Sequence, residues 1–223
     1  NLMMGRNVGY FTIEMPIEQV ERRMDCRHTG LPYSVFRKKS FTDEEKAIYR
    51  EKLEEFRTLP AKLHIFDIPD KCTALRIENI LTVTPYKLDF LVVDYLGLMQ
   101  PIDSSIKDDW LAQGATAREL RDVGRRYNIP VLTATQVNQG GYGVRDRGLR
   151  ATARSKMIGD NSDFVFDFST IEDLKEGFIN IVKGREVPKM RFKVYVDLSR
   201  MIITGLRDTE EAVGYENLGL EGL

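Results

Sequence analysis

Residues 88–99, Leu-Asp-Phe-Leu-Val-Val-Asp-Tyr-Leu-Gly-Leu-Met, constrain the fold more than any other part of the sequence. The apolar stretch from Phe90 to Val93 is too short for a long helix, and it closes on an acid, Asp94. Buried parallel strands read this way, because both faces are covered and no polar alternation survives. In open α/β sheets ligands gather outside the carboxyl ends of such strands, where Asp94 emerges. A core strand followed by a turn acid has the same pattern, so this segment alone leaves both readings open.

The same grammar recurs along the chain. Residues 8–13 are β-branched and aromatic and end at Glu14, residues 63–67 read as another strand, and residues 131–136 as a fourth that ends on Gln136. Helices are expected between them. One follows Pro16, with Ile17, Val20 and Met24 at helical spacing. A second spans 42–56, where Thr42 and Glu45 form a capping-box pattern and the charges make a solvated face. A third is capped by Thr73 and carries Leu75, Ile77, Ile80 and Leu81, and a fourth spans 115–127, ended by Asn128 and Pro130. This alternation predicts an α/β fold, a mostly parallel sheet flanked by helices. From Gly177 onward, short strands at 178–182, 191–196 and 201–204 are expected as antiparallel additions at one side of that sheet. No repeat or linker divides the chain, so residues 1–206 read as one domain. An acidic tail follows at 207–223, with Asp208, Glu210, Glu211, Glu216 and Glu221 against Arg207.

With 223 residues, 42% of them hydrophobic and 30% charged, the chain can bury a substantial core. No apolar run approaches the roughly 20 residues a membrane-spanning helix needs, and the first residues lack a signal-peptide layout. A cytoplasmic protein without a membrane partner is the expectation. Cys26 and Cys72 are far apart and read as ordinary thiols. Met99, Met157, Met190 and Met201 read as core or gap-filling residues. The formal net charge of −1 hides one asymmetry: the glycine-rich stretch 139–156 carries Arg145, Arg147, Arg150, Arg154 and Lys156 against Asp146. Backbone freedom with cationic charge suits a loop that follows a phosphodiester backbone; a surface loop whose charge only aids solubility is the alternative.

In a parallel sheet Glu14, Asp94 and Gln136 would gather along one edge. An acid that polarises water, a second that anchors hydrated Mg2+ and an amide that senses a phosphate form a set suited to nucleoside triphosphate hydrolysis. The bland alternatives are an acid beginning a helix for Glu14 and a polar strand terminus for Gln136. Lys183 and Arg185, two apart at a strand end, point the same way, which suits reaching phosphates held by a neighbouring subunit; most such pairs are solvent-facing charges.

Together these segments resemble the RecA-like motor domain of the DnaB family of hexameric replicative DNA helicases, in particular its tailed-bacteriophage members. The resemblance rests on Tyr-Phe-Thr-Ile-Glu-Met at 10–15, Val-Val-Asp-Tyr-Leu-Gly-Leu-Met at 92–99 as a Walker B segment, and Ala-Thr-Gln-Val at 134–137. The helix at 117–121 before Asn-Ile-Pro-Val, the segment 159–165 and Lys-Gly-Arg at 183–185 also match. It implies a RecA-like P-loop NTPase core using ATP and Mg2+. Glu14 would orient the attacking water, Asp94 would hold Mg2+ through water, Gln136 would sense the γ-phosphate, and Lys183 and Arg185 would serve the adjacent subunit's ATP. It further implies a homo-hexameric ring around single-stranded DNA, with loops at 103–107 and 140–156 lining the channel, and primase and a helicase loader as further partners. One departure stands out: the phosphate-binding pattern Gly-x-x-x-x-Gly-Lys-Ser/Thr occurs nowhere in the sequence. The resemblance puts that loop, with the first strand, upstream of Val8. The chain is therefore expected to be an excerpt, a processed product or part of a split protein, with its sheet opened at the middle and no activity alone. A RecA-type recombinase or other RecA-fold ATPase, and a non-catalytic assembly or regulatory module derived from a helicase, are the competing readings.

Overall fold

The structure, a computed structural model, describes residues 1–136, 153–171 and 175–205, with the side chains of 153–156 excepted. Four strands, β1 (Val8–Thr12), β2 (Leu63–Asp67), β3 (Phe90–Asp94) and β4 (Val131–Thr133), form a parallel sheet in the order β2-β1-β3-β4. Parallel neighbours need crossovers. These contain α1 (Ile17–Thr29), α2 (Tyr33–Lys38) and α3 (Asp43–Arg57) between β1 and β2, α4 (Ala74–Val83) between β2 and β3, and α5 (Asp109–Tyr127) between β3 and β4. Period-2 alternation sorts the central strands: Phe11, Leu91 and Val93 are fully buried and join Ile77, Leu120 and Val123 of α4 and α5 in the main core. Tyr10, Val92 and Asp94 point to the opposite, half-open face.

Local chemistry sets the helix ends as expected from the sequence. Thr42 and Glu45 form a complete capping box on α3, and the Thr73 hydroxyl accepts from the Arg76 N–H at the start of α4. A smaller cluster around Cys26, Leu31 and Phe36 joins α1 and α2 to Tyr49 of α3.

Four further strands, β5 (Phe164–Ile171), β6 (Glu176–Gly184), β7 (Met190–Asp197) and β8 (Ile202–Gly205), pair antiparallel in the order β5-β6-β7-β8. Among the described residues they form a sheet of their own, not an addition to the parallel one, and the four parallel strands run without a gap. The β7–β8 turn is tied to α2, where the Tyr33 N–H donates to the Ser199 carbonyl, and Met201 packs into the smaller cluster. Cross-strand register aligns Phe166, Ile181 and Met190 in one row and Phe168, Ile179 and Phe192 in the next. Met190 is thus exposed on an apolar sheet face and not in the core expected for it.

Other boundaries differ for physical reasons. α5 starts at Asp109, six residues before the expected start, because Trp110 and Leu111 are largely exposed and give no apolar stripe, and Gly114 lies inside the helix. β5 has no counterpart among the expected strands, since its alternating phenylalanines face outward. β4 ends at Thr133, so Gln136 lies three residues beyond it. The stretch 139–156, expected as a loop, ends in helix: α6 (Ala153–Asp160) includes Arg154 and Lys156. Arg145, Arg147, Arg150 and the acidic tail 207–223 lie outside the described residues. None of the described helices is long and apolar enough to cross a membrane.

Candidate functional site

Register fixes the site. Thr12 of β1 pairs with Asp94 of β3, and the backbone N–H of Ile13 donates to the Asp94 carbonyl at 3.0 Å. Glu14 therefore leaves the sheet one residue past a backbone contact with Asp94. Thr12, fully buried, sets the turn: its hydroxyl donates to the Met15 carbonyl at 2.6 Å and accepts from the Met15 N–H at 3.2 Å. That closed loop leaves Glu14 exposed at its tip, and among the described residues Glu14 makes no hydrogen bond or ion pair.

Asp94 is held on both sides. Thr133 of β4 donates from its hydroxyl to the Val93 carbonyl at 2.8 Å and accepts from the Leu96 N–H at 3.1 Å, and the Leu96 N–H also reaches the Ala134 carbonyl at 3.1 Å. The turn after Asp94 is thereby fastened to the strand that leads to Gln136. On the carboxylate itself, the Tyr10 hydroxyl donates to Oδ2 at 2.5 Å. Burial, then the hydrogen bond and charge of Asp94, push this phenol well above its ordinary value, with the Arg23 guanidinium of α1 pulling the other way.

Three of the expected residues, Glu14, Asp94 and Gln136, thus stand at or just past the carboxyl ends of three adjacent strands. Lys183 and Arg185 do not join them within one chain. At the end of β6 they are engaged by their own α6 and the turn after it: the Lys183 ammonium donates to the Gly159 carbonyl at 2.6 Å, and the Arg185 guanidinium pairs with Asp163 at 2.9 Å. The turn at 103–107 is compact, with Asp103 accepting from the Ser105 N–H and Lys107 donating to the Ser104 carbonyl. Glu119 of α5 anchors its base through the Ile102 N–H.

Among the described residues no group of three or more His, Cys, Asp or Glu side chains could hold a metal ion. Asp94 fits the Mg2+ chemistry in which one carboxylate contributes beside water and phosphate oxygens, not that of an all-protein cage. Two cavities, of about 210 Å3 between α5 and α6 and about 140 Å3 beside Leu88 and Ile129, are lined by none of Glu14, Asp94 and Gln136. Sequence reasoning missed Thr12, Thr133 and Tyr10, the residues that hold the site in shape. Only strand register could have pointed to them.

Comparison with known proteins adds a family. The model of the DnaB-like helicase C terminal domain matches residues 1–155. The replicative DNA helicase DnaC of Bacillus subtilis (strain 168) is 24% identical over 142 residues, which are 60% of this chain and 29% of that protein. Among solved structures, that of a DnaB-like replicative helicase and its interactions with primase superposes with a TM-score of 0.79 at 15% identity, covering 92% of this chain and 53% of that one. A second solved structure, an ATPase domain of a phage protein, gives 0.79 at 14% identity over 92% of this chain and 76% of its own. The RadB recombinase gives 0.54 at 14% identity, over 91% and 80%. At these identities the structures establish a shared RecA-like fold, and this chain spans about 29% of the curated relative's length.

Proposed function

The chain belongs to the DnaB-like helicase C-terminal domain family, and we propose from this that it is the motor domain of a replicative DNA helicase, as in tailed-phage members, spanning 1–206 before an acidic tail. The observation that carries the reading is the Thr12–Asp94 register with the Ile13-to-Asp94 hydrogen bond, which sets two acids side by side at the carboxyl edge of a parallel sheet. Glu14, exposed and unpaired among the described residues, accepts a proton from an attacking water and orients it. Asp94 holds Mg2+ through water, and Gln136 senses the γ-phosphate of ATP. Bound Mg2+ neutralises charge on the phosphate oxygens.

Lys183 and Arg185 act on the ATP of the adjacent subunit in a homo-hexameric ring. Their place in the second sheet, away from the acids of their own chain, supports a site completed in trans. Arg145, Arg147, Arg150, Arg154 and Lys156 contact the backbone of single-stranded DNA, so hydrolysis between subunits drives translocation and duplex unwinding. Primase and a helicase loader are further partners, and the protein works in the bacterial or phage-infected cytoplasm. The phosphate-binding pattern is not in this sequence, and without its backbone N–H groups and lysine this chain alone is inactive.

The test mixes Glu14→Ala with Arg185→Ala subunits in a version extended upstream through the phosphate loop. Each variant alone is expected to lose DNA-stimulated ATP hydrolysis, and verified mixed rings to regain part of it at interfaces carrying both intact residues. No rescue in such rings overturns the shared site.

A further inference from the structure

We propose that Tyr10 is a positioning residue for the metal-binding acid: its hydroxyl fixes the Asp94 carboxylate in the one orientation that presents Oδ1 to a hydrated divalent cation. The inference rests on the reading of Asp94 given above. Tyr10 pairs in register with Val92 of β3, and side chains two apart on a strand share a face, so Asp94 lies one step further along the face that Tyr10 occupies. The phenol spans that diagonal and donates to Oδ2 at 2.5 Å. The bond ties up one carboxylate oxygen and leaves the other open.

The rest of the Asp94 environment acts on its backbone alone. Its carbonyl accepts from Ile13, and the following turn is held by Thr133, but neither restrains the side-chain torsions. Water-mediated metal binding depends on where the oxygen points, and a carboxylate that must be ordered on binding loses affinity accordingly. Tyr10 removes that ordering beforehand. It touches neither nucleotide nor water in this scheme, so its effect falls on metal affinity and not on the chemical step.

The test titrates Mn2+, as a probe for Mg2+, into the protein at full length with a non-hydrolysable ATP analogue, reading free Mn2+ by electron paramagnetic resonance. Hydrolysis against free Mg2+ is followed in parallel. Tyr10→Phe keeps the ring and removes only the hydroxyl, and a near-ultraviolet dichroism spectrum matching wild type verifies its fold. The expected result is a roughly tenfold weaker Mn2+ affinity and a similar rise in half-saturating Mg2+, with kcat at saturating Mg2+ within about twofold of wild type. Asp94→Asn should lose the metal site altogether. Unchanged Mn2+ affinity in Tyr10→Phe, beside loss in Asp94→Asn, overturns the positioning role alone. Undiminished affinity in Asp94→Asn overturns the reading of Asp94 on which it rests.

Discussion

Gly114 of α5 stands so close to Met157 of α6 that a Cβ at position 114 would lie 2.9 Å from the Met157 Cβ and 2.7 Å from its Cε. The absent side chain lets α6, the helix that ends the cationic stretch, rest directly on α5. Gly114→Ala sets two effects against each other. Alanine favours a helix interior by about 1 kcal/mol over glycine, whereas overpacking costs about 1–3 kcal/mol. The Met157 Cε can swing away but its Cβ cannot, so the clash wins, and Gly114→Ala should lose about 1 kcal/mol in urea unfolding. Adding Met157→Ala should restore part of the loss. A stabilised Gly114→Ala would mean that the two helices are not in this contact.

Thr133 is the second place where one atom group carries a local structure. Its hydroxyl serves the Val93 carbonyl and the Leu96 N–H at once, bridging the strand before Asp94 and the turn after it. Thr133→Val keeps the shape and removes both bonds. The Leu96 N–H retains the Ala134 carbonyl, so the cost should be about 1–2 kcal/mol and not the larger penalty of an orphaned donor. Hydrogen exchange at the Leu96 amide should quicken, while the Val123 amide deep in α5 follows global stability. Equal changes at both would place the effect outside this turn.

Cys72 is fully buried, and burial raises its thiol from 9.0 to about 11, with Arg76 pulling slightly the other way. The sign follows from linkage. The unfolded chain ionises this thiol near pH 9 and the folded chain near 11, so its contribution to stability is whole below about pH 9 and is lost as pH rises through 11. Two pH units correspond to about 2–3 kcal/mol. Cys72→Ala should therefore show a shallower alkaline loss of stability than wild type, by about that amount between about pH 8 and 11. Identical alkaline slopes would show that the thiol is already ionised in the folded protein.

The strand-then-acid segments were legible because apolar run length and terminal residue type are local properties, and β2 falls on the residues that periodicity marked. Thr42 with Glu45 was legible for the same reason, since a capping box is written within four residues. What the sequence did not disclose is non-local. Tyr10 reads as one more strand aromatic until β1 is placed beside β3, and Thr133 as one more β-branched residue until β4 is placed beside it too. Gly114 looks like a helix boundary because its reason for being glycine sits 43 residues away, on Met157. The outward phenylalanines of β5 hide a strand, because alternation signals a sheet only when the apolar face is assumed to be covered.

Lys183 and Arg185 differ in what they do for their own chain, and this separates folding from function. Arg185 meets Asp163 with both side chains more than half exposed, at 55% and 57%, and such a pair is worth less than about 1 kcal/mol. Lys183 instead places its ammonium on the Gly159 carbonyl in the last turn of α6, a part-buried contact reinforced by the negative end of the helix. Arg185→Ala should accordingly unfold within about 1 kcal/mol of wild type, whereas Lys183→Met should lose about 1–2 kcal/mol and loosen the α6–β6 junction, read by hydrogen exchange at Gly159 and Asp160. Because Arg185→Ala leaves the fold intact, a loss of ATP hydrolysis in rings of that variant reports the missing guanidinium and not a damaged subunit. Retention of full hydrolysis by a folded Arg185→Ala ring would remove Arg185 from the site and leave Lys183 as the remaining candidate to act in trans.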